Sequence, residues 1–477
     1  MEIDLLCTDV RLGLNRLRPN SIQCVITSPP YWKAQREYSL MRSFDTEEKA
    51  QRWSAEQAAS WNESYGNELL CYHGAVTRMP DGFYVGRVLA LSVWPGNLDC
   101  KHVWKPTEDK KPGIRIEGKR TAFVCEKCGS HLRQLGHEPN YDCLGWATGK
   151  PPCGNCYVCA LRGVLGGANR QTGLWRVLRK DGIVFLNVGD ARLGGRGKTD
   201  CVLLPQRLAL AFQADGWHVK EFLIWVKGAS FTQTGWAGSV MPVRNHGWHY
   251  RRHLLKTGRS PRASKGAPAQ PFTYPHSAFL DNRAPNYRAP TKECPGCAKC
   301  SKHDGYVLRK DFWRPTNSYE PVLWLTKSRS WYSDPEKIKG ETSDAAALLG
   351  EPLQGNPRNV WVIPVDIVQG KDHYATFPSE LVRKLIVLAT PEKVCASCKA
   401  PYVRVEGTQK TLPSCDCGTK ETTKPVVLDP FAGLATVGLV CSRLGRSFIG
   451  IECMPHYVEA ALERIAGDAP LLTTTSI

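Results

Sequence analysis

Short apolar runs alternate with amphipathic stretches at both ends of the chain, and this alternation restricts the possible folds more than any other feature. The segments LWRVLRKDG, IVFLNVGD, LLPQRLALAFQADG and VKEFLIWVK are predicted as helix, strand, helix and strand, the first helix stopping at Gly182. VVLDPF, TVGLVCSRLG, SFIGIE and HYVEAALERIAG repeat the alternation near the C-terminus. Such units form parallel sheets covered by helices on both faces. We therefore predict an α/β fold with a doubly wound, mostly parallel sheet.

Three stretches interrupt the alternation and are predicted to be Cys-rich or basic insertions. Residues 33–160 are polar and rich in Trp and Cys, residues 231–312 are basic and rich in Pro and Gly, and residues 394–424 carry four cysteines. A chain of 477 residues is long enough for one enzyme domain with such insertions, or for two or three ordinary domains.

The charge of the chain indicates a polyanionic partner. There are 63 Lys and Arg against 45 Asp and Glu, a formal net charge of +18. Nucleic acid is the first candidate, and a basic enzyme without such a partner is the alternative. No signal peptide is recognised in MEIDLLCTDV and no apolar run is long enough to span a bilayer, so we expect a cytoplasmic protein without a membrane partner. In that compartment the 20 cysteines are expected to bind metal rather than to form disulfides.

Two of the apolar strands end in loops that suit chemistry at a sheet edge. The strand that contains VIT runs into SPPY, residues 28–31, where two proline rings rigidify the turn. VVLD runs into DPFAG, residues 429–433, and the next strand ends at Glu452. Glycine in such a loop lets a ligand approach the backbone, and a carboxylate after the next strand can accept the hydroxyls of a ribose. Taken separately, the first loop is typical of a rigid turn and the second is a weak indicator of nucleotide binding.

Together, SPPY, DPFAG and FIGIE resemble the DNA amino-methyltransferases that use S-adenosylmethionine. The catalytic tetrapeptide comes first and the cofactor loop last, as in the permuted β group of that family. HYATFPSELVRKLI, which begins at His373, resembles the family segment that closes over the methionine end of the cofactor. The resemblance covers roughly residues 1–32, 172–230, 310–335 and 370–467 without the inserted ribbon. It implies a circularly permuted, Rossmann-like methyltransferase fold with Cys-rich insertions.

The resemblance assigns cofactor binding mainly to residues near the C-terminus. These are Thr376, Phe377, Asp429, Pro430, Phe431, Gly433, Thr436 and Glu452. Ala435 stands where the family loop usually has a second glycine, so the backbone is less free there. Asp9 matches a family acid that contacts the adenine side of the cofactor, but it is equally well placed to be the N-cap of a helix over VRLGLNRL. Both interpretations of Asp9 stay open.

The resemblance also implies catalysis by the tetrapeptide Ser28, Pro29, Pro30 and Tyr31. The lone pair of an exocyclic amine is delocalised into the base, which makes the amine a poor nucleophile. We expect the Ser28 hydroxyl and the Pro29 carbonyl to accept its two N–H bonds and so to aim the lone pair. Tyr31 would stack on the flipped base and Trp32 would widen this platform. Positioning would supply most of the acceleration, without a covalent enzyme intermediate.

Serine at the first tetrapeptide position is similar to the family members that act on N4 of cytosine, whereas Asp or Asn more often marks N6 of adenine. The predicted function is therefore site-specific transfer of a methyl group from S-adenosylmethionine to cytosine N4 in DNA. The alternatives are an N6-adenine enzyme of the same fold, methyl transfer to RNA or a protein amide, and a zinc-ribbon DNA-binding regulator without catalysis.

The expected partners follow from this function. They are double-stranded DNA and a cognate restriction endonuclease, and the chain itself is expected to be a monomer or a homodimer. Association with DNA would place it at the nucleoid of a bacterium or archaeon, or it would be encoded by a phage.

Two groups of cysteines have the spacing of zinc ribbons. The first is Cys100, His102, Cys125 and Cys128, with His131 as the alternative to His102, and the second is Cys395, Cys398, Cys415 and Cys417. Both are predicted to be structural Zn²⁺ sites, because four protein ligands leave no open position for catalysis.

Two Cys-x-x-Cys-x-x-Cys triplets allow more than one arrangement. They are Cys153, Cys156 and Cys159, with Cys143 nearby, and Cys294, Cys297 and Cys300. Cys143 completes a four-Cys zinc site with the first triplet, or the two triplets meet and hold zinc or an iron–sulfur cluster. We favour zinc because methyl transfer needs no electron carrier. Cys7, Cys24, Cys201, Cys441 and Cys453 lie in or beside apolar runs and are expected in the core.

The basic segment RNHGWHYRRHLLKTGRSPRASKG, residues 244–266, interleaves cations with aromatic rings. Such a segment suits contacts with phosphates and bases, and a solvated loop without specific contacts is the alternative. The candidate DNA-binding residues are Arg244, Trp248, Tyr250, Arg251 and Arg252.

The predicted organisation follows the chain in eight segments. They are the catalytic half of the sheet (1–32), a Cys/His metal-binding insertion (33–160), further sheet (161–230), a basic target-recognition insertion with a Cys triplet (231–312), core and cofactor-closing segment (313–393), a zinc-ribbon-like insertion (394–424), the cofactor-binding half (425–467) and a tail (468–477).

Overall fold

The computed structural model of the chain contains two compact units. The sheet unit comprises residues 1–77, 84–238 and 318–477, and the hairpin unit comprises residues 78–83 and 239–317. Within them the structure describes residues 2–31, 39–67, 69–79, 83–94, 103–107, 114–116, 119–128, 130–133, 135, 140–150, 153, 156–192, 200–228, 230–232, 235–237, 248–256, 291–310, 318–339, 357–366, 377–468 and 474–476.

The sheet unit is built on a nine-stranded sheet. Its strands are β1 (Glu2–Cys7), β2 (Ile22–Thr27), β10 (Leu178–Asn187), β11 (His218–Gly228), β18 (Tyr319–Thr326), β19 (Val360–Pro364), β24 (Val426–Asp429), β25 (Ser447–Glu452) and β26 (Thr474–Ser476). Their spatial order is β19-β11-β18-β10-β2-β24-β25-β1-β26.

All neighbouring strands of this sheet are parallel except at β18, which runs antiparallel to both β10 and β11. The carboxyl ends of the parallel strands lie along one edge. Because β18 runs the other way, its first residues lie at that same edge. The ends of β2, β10, β11, β24 and β25 and the start of β18 are therefore brought side by side.

Helices cover both faces of the sheet. They are α1 (Val10–Arg16), α3 (Tyr157–Leu165), α4 (Gly173–Val177) and α5 (Leu204–Ala214) on one face, and α6 (Ser379–Ala389), α7 (Thr436–Leu444) and α8 (Pro455–Asp468) on the other. Successive residues of β2 alternate between the two cores, Val25 in the first and Cys24 and Ile26 in the second. The predicted α/β fold with a doubly wound, mostly parallel sheet is confirmed.

Two local expectations are wrong. The helix predicted to continue to Gly182 ends at Val177, and β10 begins at Leu178, which pairs with Ile22 of β2. Pairing with the neighbouring strand thus overrides the local helical pattern. Cys201 is exposed rather than in the core, and it forms an isolated bridge with Arg192 ahead of α5. Of the other four, Cys24 and Cys441 are buried, and Cys7 and Cys453 are partly buried.

The first insertion forms a second sheet of seven strands. They are β3 (Ser39–Phe44), β4 (Leu70–Arg78), β5 (Tyr84–Trp94), β6 (Trp104–Thr107), β7 (Ile114–Ile116), β8 (Lys119–Cys125) and β9 (His131–Arg133). Helix α2 (Glu47–Tyr65) packs on this sheet and places Trp61 parallel to His456, with ring centroids 5.8 Å apart. The Tyr72 hydroxyl donates to the Cys453 carbonyl at 2.7 Å. These contacts hold the insertion against the residues that follow β25.

Short two-stranded antiparallel sheets complete the described structure. In the sheet unit they pair β12 (Ser230–Thr232) with β13 (Gly235–Ala237), β20 (Val394–Cys395) with β23 (Thr422–Thr423), and β21 (Tyr402–Arg404) with β22 (Thr411–Pro413). In the hairpin unit they pair β14 (Trp248–Arg252) with β17 (Tyr306–Lys310), and β15 (Leu254–Lys256) with β16 (Thr291–Glu293). Single 3₁₀ turns span Ser301–His303 and Pro335–Lys337. Among the described residues, no helix has both the length and the apolar character needed to cross a membrane.

Candidate active site

A hydrogen bond links the tetrapeptide strand to the loop after β24. Thr27, the last residue of β2, donates from its hydroxyl to Oδ1 of Asp429 at 2.7 Å, and both side chains are buried. The two strands are parallel neighbours, with Cys24 opposite Val427. Residues 28–31 and 429–433 therefore leave the same edge of the sheet next to each other.

The loop after β24 is organised around its two carboxyl groups. Oδ1 of Asp429 also accepts the backbone N–H of Phe431 at 3.0 Å. Glu452 accepts the N–H of Gly433 at 2.9 Å with one oxygen and the N–H of Met454 at 2.9 Å with the other. Burial raises the pKa of Asp429 to about 7 and also raises the pKa of Glu452. The loop is thus fixed by carboxyl groups that sit in an apolar setting.

Ala435 occupies a conformation that favours glycine. It is the N-cap of α7, with φ 50° and ψ 49°, and it is fully buried. Gly433 has φ 52°. A left-handed conformation costs a residue with a Cβ atom roughly 1–2 kcal/mol. The loop therefore keeps the shape that a second glycine would allow, at some cost in backbone strain.

A cavity of about 510 Å³ opens at this edge. Its lining residues are Thr8, Asp9, Val10, Pro30, Ala90, Ser92, Leu135, Pro430, Phe431, Ile451, Glu452 and Cys453. Apolar and aromatic walls with two carboxyl groups suit a nucleoside that presents a flat ring and hydroxyls. The cavity wall includes three residues of the first insertion, which the sequence did not indicate.

Asp9 has one of the two roles that the sequence left open, and its contact with the adenine side of the cofactor stays a prediction. It is the N-cap of α1 and accepts the N–H of Arg11 at 2.9 Å. Its carboxylate also receives Nε and Nη2 of Arg11, at 2.9 and 3.0 Å, and its side chain is buried. The same residue lines the cavity.

Tyr31 lies in a polar network that extends across three strands. Its hydroxyl is 2.6 Å from Oε2 of Glu320, at the start of β18, and 2.9 Å from Oδ1 of Asn187, at the end of β10. Glu320 pairs with Lys227 from the end of β11. The Ser28 hydroxyl donates to the Tyr31 oxygen at 3.3 Å. Burial and the Glu320 charge raise the pKa of Tyr31 well above its usual value.

Asn187, Lys227 and Glu320 are residues that sequence reasoning missed. In the sequence, each of the three is a polar residue near one end of an apolar strand. This pattern did not identify Glu320, because Glu320 reaches the edge where β10 and β11 end only if β18 runs antiparallel to them.

The remaining predicted cofactor residues lie around α6 and α7. Phe377 is buried in the core on the α6 face, and Thr436 accepts Nη1 of Arg464 at 3.0 Å. Five predicted residues lie outside the described part of the chain: Trp32, Cys100, His102, Arg244 and Thr376.

The structure brings together two of the predicted sets of four cysteines. They are Cys143, Cys153, Cys156 and Cys159, and Cys395, Cys398, Cys415 and Cys417, and in each set all ligand atoms lie within 4.8 Å of one another. Cys125 is buried and the Cys128 sulfur lies 3.1 Å from the Ser130 hydroxyl. Cys294, Cys297 and Cys300 lie in the hairpin unit.

The other predicted DNA-binding residues lie on β14. Trp248 and Tyr250 are 69% and 52% exposed, and Arg251 and Arg252 are exposed as well. Lys310 of β17 places its ammonium 4.5 Å from the Trp248 ring centroid. β14 thus presents cations and aromatic rings to solvent.

A family model and two curated relatives that match the chain all belong to the DNA methyltransferases. Residues 170–463 match the model of the DNA methylase family. The chain is 32% identical over 316 residues to the type II methyltransferase M.SmaI of Serratia marcescens, covering 61% of this chain and 69% of the relative. It is 32% identical over 182 residues to M.Cfr9I of Citrobacter freundii, covering 35% of this chain. The match spans about half of that relative's length, 47%.

Solved structures that match the chain at low TM-scores include those of two DNA methyltransferases. One is the putative DNA modification methylase TTHA0409 of Thermus thermophilus in complex with S-adenosyl-L-methionine, with a TM-score of 0.40, 14% identity and coverage of 100% of this chain and 98% of that one. The other is the cytosine-N4-specific PvuII DNA methyltransferase, with a TM-score of 0.34, 16% identity and coverage of 65% and 70%.

Proposed function

The chain belongs to the DNA methylase family, and from that premise we propose that it transfers a methyl group from S-adenosylmethionine to N4 of cytosine in double-stranded DNA. One observation carries the proposal. The hydrogen bond from Thr27 to Asp429 joins the end of the tetrapeptide strand to the loop that borders the cavity. A base held by residues 28–31 and a cofactor held in the cavity would therefore be neighbours.

The chemistry of the cavity walls suits the proposed cofactor. Glu452 would accept a ribose hydroxyl through Oε2, which uses one lone pair for the Gly433 N–H and keeps another, whereas Oε1 already receives the Met454 N–H and the Cys453 thiol. Phe431, Ile451 and Val10 offer apolar surface for the adenine ring. When bound, the cofactor supplies an activated methyl group on a sulfonium.

The polar network prepares Ser28 to act as an acceptor. The Ser28 hydroxyl donates to Tyr31, so the lone pairs of its oxygen are left to accept an N–H of the target amine. Tyr31 in turn donates to Glu320, whose charge is balanced by Lys227. The Pro29 carbonyl is the second proposed acceptor. With both N–H bonds engaged, the amine lone pair points away from the ring and toward the methyl group.

Tyr31 is proposed to contact the target base with its ring while its hydroxyl stays in the network. The ring cannot rotate freely, because the hydroxyl lies within hydrogen-bonding distance of Asn187 on β10 and Glu320 on β18. The arrangement fixes the plane in which a flipped base can stack.

The two sets of four cysteines in the sheet unit are proposed to be structural Zn²⁺ sites. Ligand atoms within 4.8 Å of one another suit one tetrahedral ion. Cys156 is the N-cap of α3 and Cys159 lies in its first turn, so this ion would tie residue 143 to the start of a buried helix. Cys395 and Cys398 would tie the ribbon between α6 and β24 in the same way.

The test is nucleoside mass spectrometry of unmethylated DNA of diverse sequence after incubation with the protein and S-adenosylmethionine that carries a deuterated methyl group. We expect deuterated N4-methylcytosine. Ser28→Ala should remove it. Ser21→Ala is the matched control, because Ser21 precedes β2 at its opposite end and its hydroxyl donates to the Arg18 carbonyl, away from the network.

The other outcomes correct the proposal in defined ways. N6-methyladenine would overturn the choice of base and keep the enzyme class. Label in RNA or protein alone would overturn DNA as the substrate. Cofactor binding without transfer to any polymer would favour a DNA-binding regulator. The type II methyltransferase relatives also lead us to propose a restriction endonuclease of the same recognition sequence as the biological partner.

A further inference from the structure

The second cysteine triplet has a fourth ligand that is far away in the sequence. His253 directly follows β14, and its Nδ1 lies 3.4 Å from the Cys297 sulfur. The Cys297 and Cys300 sulfurs are 3.6 Å apart, and all four ligand atoms, including that of Cys294, lie within 4.8 Å of one another. We propose that His253, Cys294, Cys297 and Cys300 hold one Zn²⁺ ion, and that this ion fixes the hairpin that contacts DNA.

The separations suit a single tetrahedral ion. Bonds of about 2.3 Å to sulfur and about 2.0–2.1 Å to nitrogen at tetrahedral angles place two sulfurs about 3.8 Å apart, and sulfur and nitrogen about 3.6 Å apart. The observed 3.6 and 3.4 Å are close to these values. A histidine as the fourth ligand also favours zinc over a four-iron cluster, which is held by four thiolates.

Backbone hydrogen bonds connect the ligands to both strands of the hairpin. The His253 N–H donates to the Gly305 carbonyl at 2.9 Å, just before β17. The Cys294 N–H donates to the His253 carbonyl at 2.9 Å, and the Gly305 N–H donates to the Cys300 carbonyl at 3.0 Å. An ion at this position would therefore lock the end of β14 to the start of β17.

The hairpin needs such a lock because it has little core of its own. Arg252 opposes Tyr306 and Trp248 opposes Lys310, so two cations and the exposed Trp248 ring lie on one face. A two-stranded hairpin without a buried apolar face is marginal in water. Among the described residues of the hairpin unit, the cysteine ligand Cys300 is the one buried side chain. Metal binding can supply the missing folding free energy.

The role of the ion in DNA contact rests on the proposed function, but the site itself does not. The first experiment is the zinc content of the purified full chain, measured by elemental mass spectrometry. His253→Ala should lose one equivalent relative to the wild type, whereas the other sites keep theirs. His253→Cys should restore it, since cysteine is a zinc ligand too.

His303→Ala is the matched control, because His303 lies in the same unit and packs its ring 5.0 Å from Tyr250 without belonging to the ligand set. Its zinc content should equal that of the wild type. Equal zinc content in the His253→Ala variant would overturn the site. Substitution of Co²⁺ gives a second readout, since the visible bands should shift between the native and His253→Cys proteins.

The second experiment measures the affinity for DNA without turnover. We expect His253→Ala to bind DNA at least about tenfold more weakly and to bind S-adenosylmethionine as the wild type does. Loss of zinc with unchanged DNA affinity would overturn the role in DNA contact and keep the site. Absence of methyl transfer in the wild type would overturn the proposed function while the zinc result still stands.

Discussion

Glu320 is the residue through which β11 and β18 act on the tetrapeptide. Its carboxylate meets the Tyr31 hydroxyl and the Lys227 ammonium, and its side chain is 13% exposed. The charge keeps the Tyr31 proton directed away from Ser28, so that Ser28 donates to Tyr31 and its lone pairs would be available to the proposed substrate amine. An amide at this position would remove the charge without changing the size of the side chain.

Glu320→Gln is therefore expected to lower kcat by about 10- to 100-fold, the loss typical of a misplaced acceptor, and to leave the dissociation constant of the cofactor unchanged. Single-turnover kinetics and calorimetry with S-adenosylmethionine measure the two quantities. Glu392→Gln is the control, because the Glu392 side chain is 73% exposed and its ion pair with Lys337 lies at the surface. A kcat loss of the same size in both variants would contradict a positioning role for Glu320.

Asp429 makes the stability of the fold depend on pH. Burial raises its pKa to about 7, above the value of an unfolded aspartate, so the folded chain binds a proton more tightly than the unfolded chain. This contribution is present at acidic pH and is lost as the pH rises toward and through about 7. An amide in place of this carboxyl group would have no such loss, and its oxygen would still accept from Thr27 and Phe431.

We expect Asp429→Asn to gain stability relative to the wild type between pH 5 and pH 8, by about 3 kcal/mol. Urea unfolding at the two pH values measures this difference. In Asp468→Asn the difference from the wild type should stay constant over the same range, because Arg443 lowers the pKa of Asp468 and the group stays ionised throughout. A pH-independent difference for Asp429→Asn would contradict a raised pKa.

At the scale of elements, the periodicity of the sequence predicted the helices and strands whose limits are set by local contacts. The apolar runs of β2, β24 and β25 and the helical pattern of α5 to α8 lie where the sequence placed them. The strand β10 began earlier than expected because its first residue pairs with β2, a contact that no local pattern contains. The sequence also left open whether β18 runs parallel or antiparallel to its neighbours, because an apolar run does not indicate the direction of a strand in the sheet.

In the candidate site too, residues within one motif could be predicted from the sequence, whereas contacts between distant segments could not. Residues 28–31, Asp429 and Glu452 could be predicted as site residues because each ends or follows a strand in a recognisable motif. Glu320 lies 289 residues from Tyr31, and His253 lies 44 residues from Cys297, so neither partner could be paired from spacing alone. Motifs reveal residues that share one loop, while the fold decides which loops meet.

At the scale of the whole molecule, the positive charge and the proposed chemistry belong to different parts of the chain. The cavity is lined by residues of the sheet unit, whereas Arg251, Arg252 and Lys310 are exposed in the hairpin unit. Cations that neutralise phosphates release counterions, so their contribution appears in the salt dependence of binding. Residues that act on the base or the cofactor contribute little to that dependence.

The double variant Arg251→Ala/Arg252→Ala should therefore flatten the plot of log K for DNA against log salt concentration by about 2, since each phosphate contact contributes about 0.9 to the slope. Fluorescence anisotropy with a DNA duplex at several salt concentrations measures the slope, and cofactor affinity should not change. Arg52→Ala is the control, because Arg52 is exposed on α2 and pairs with Glu48. If the double variant and the control have the wild-type slope, β14 does not contact the phosphate backbone, and the +18 charge of the chain acts on DNA through other residues.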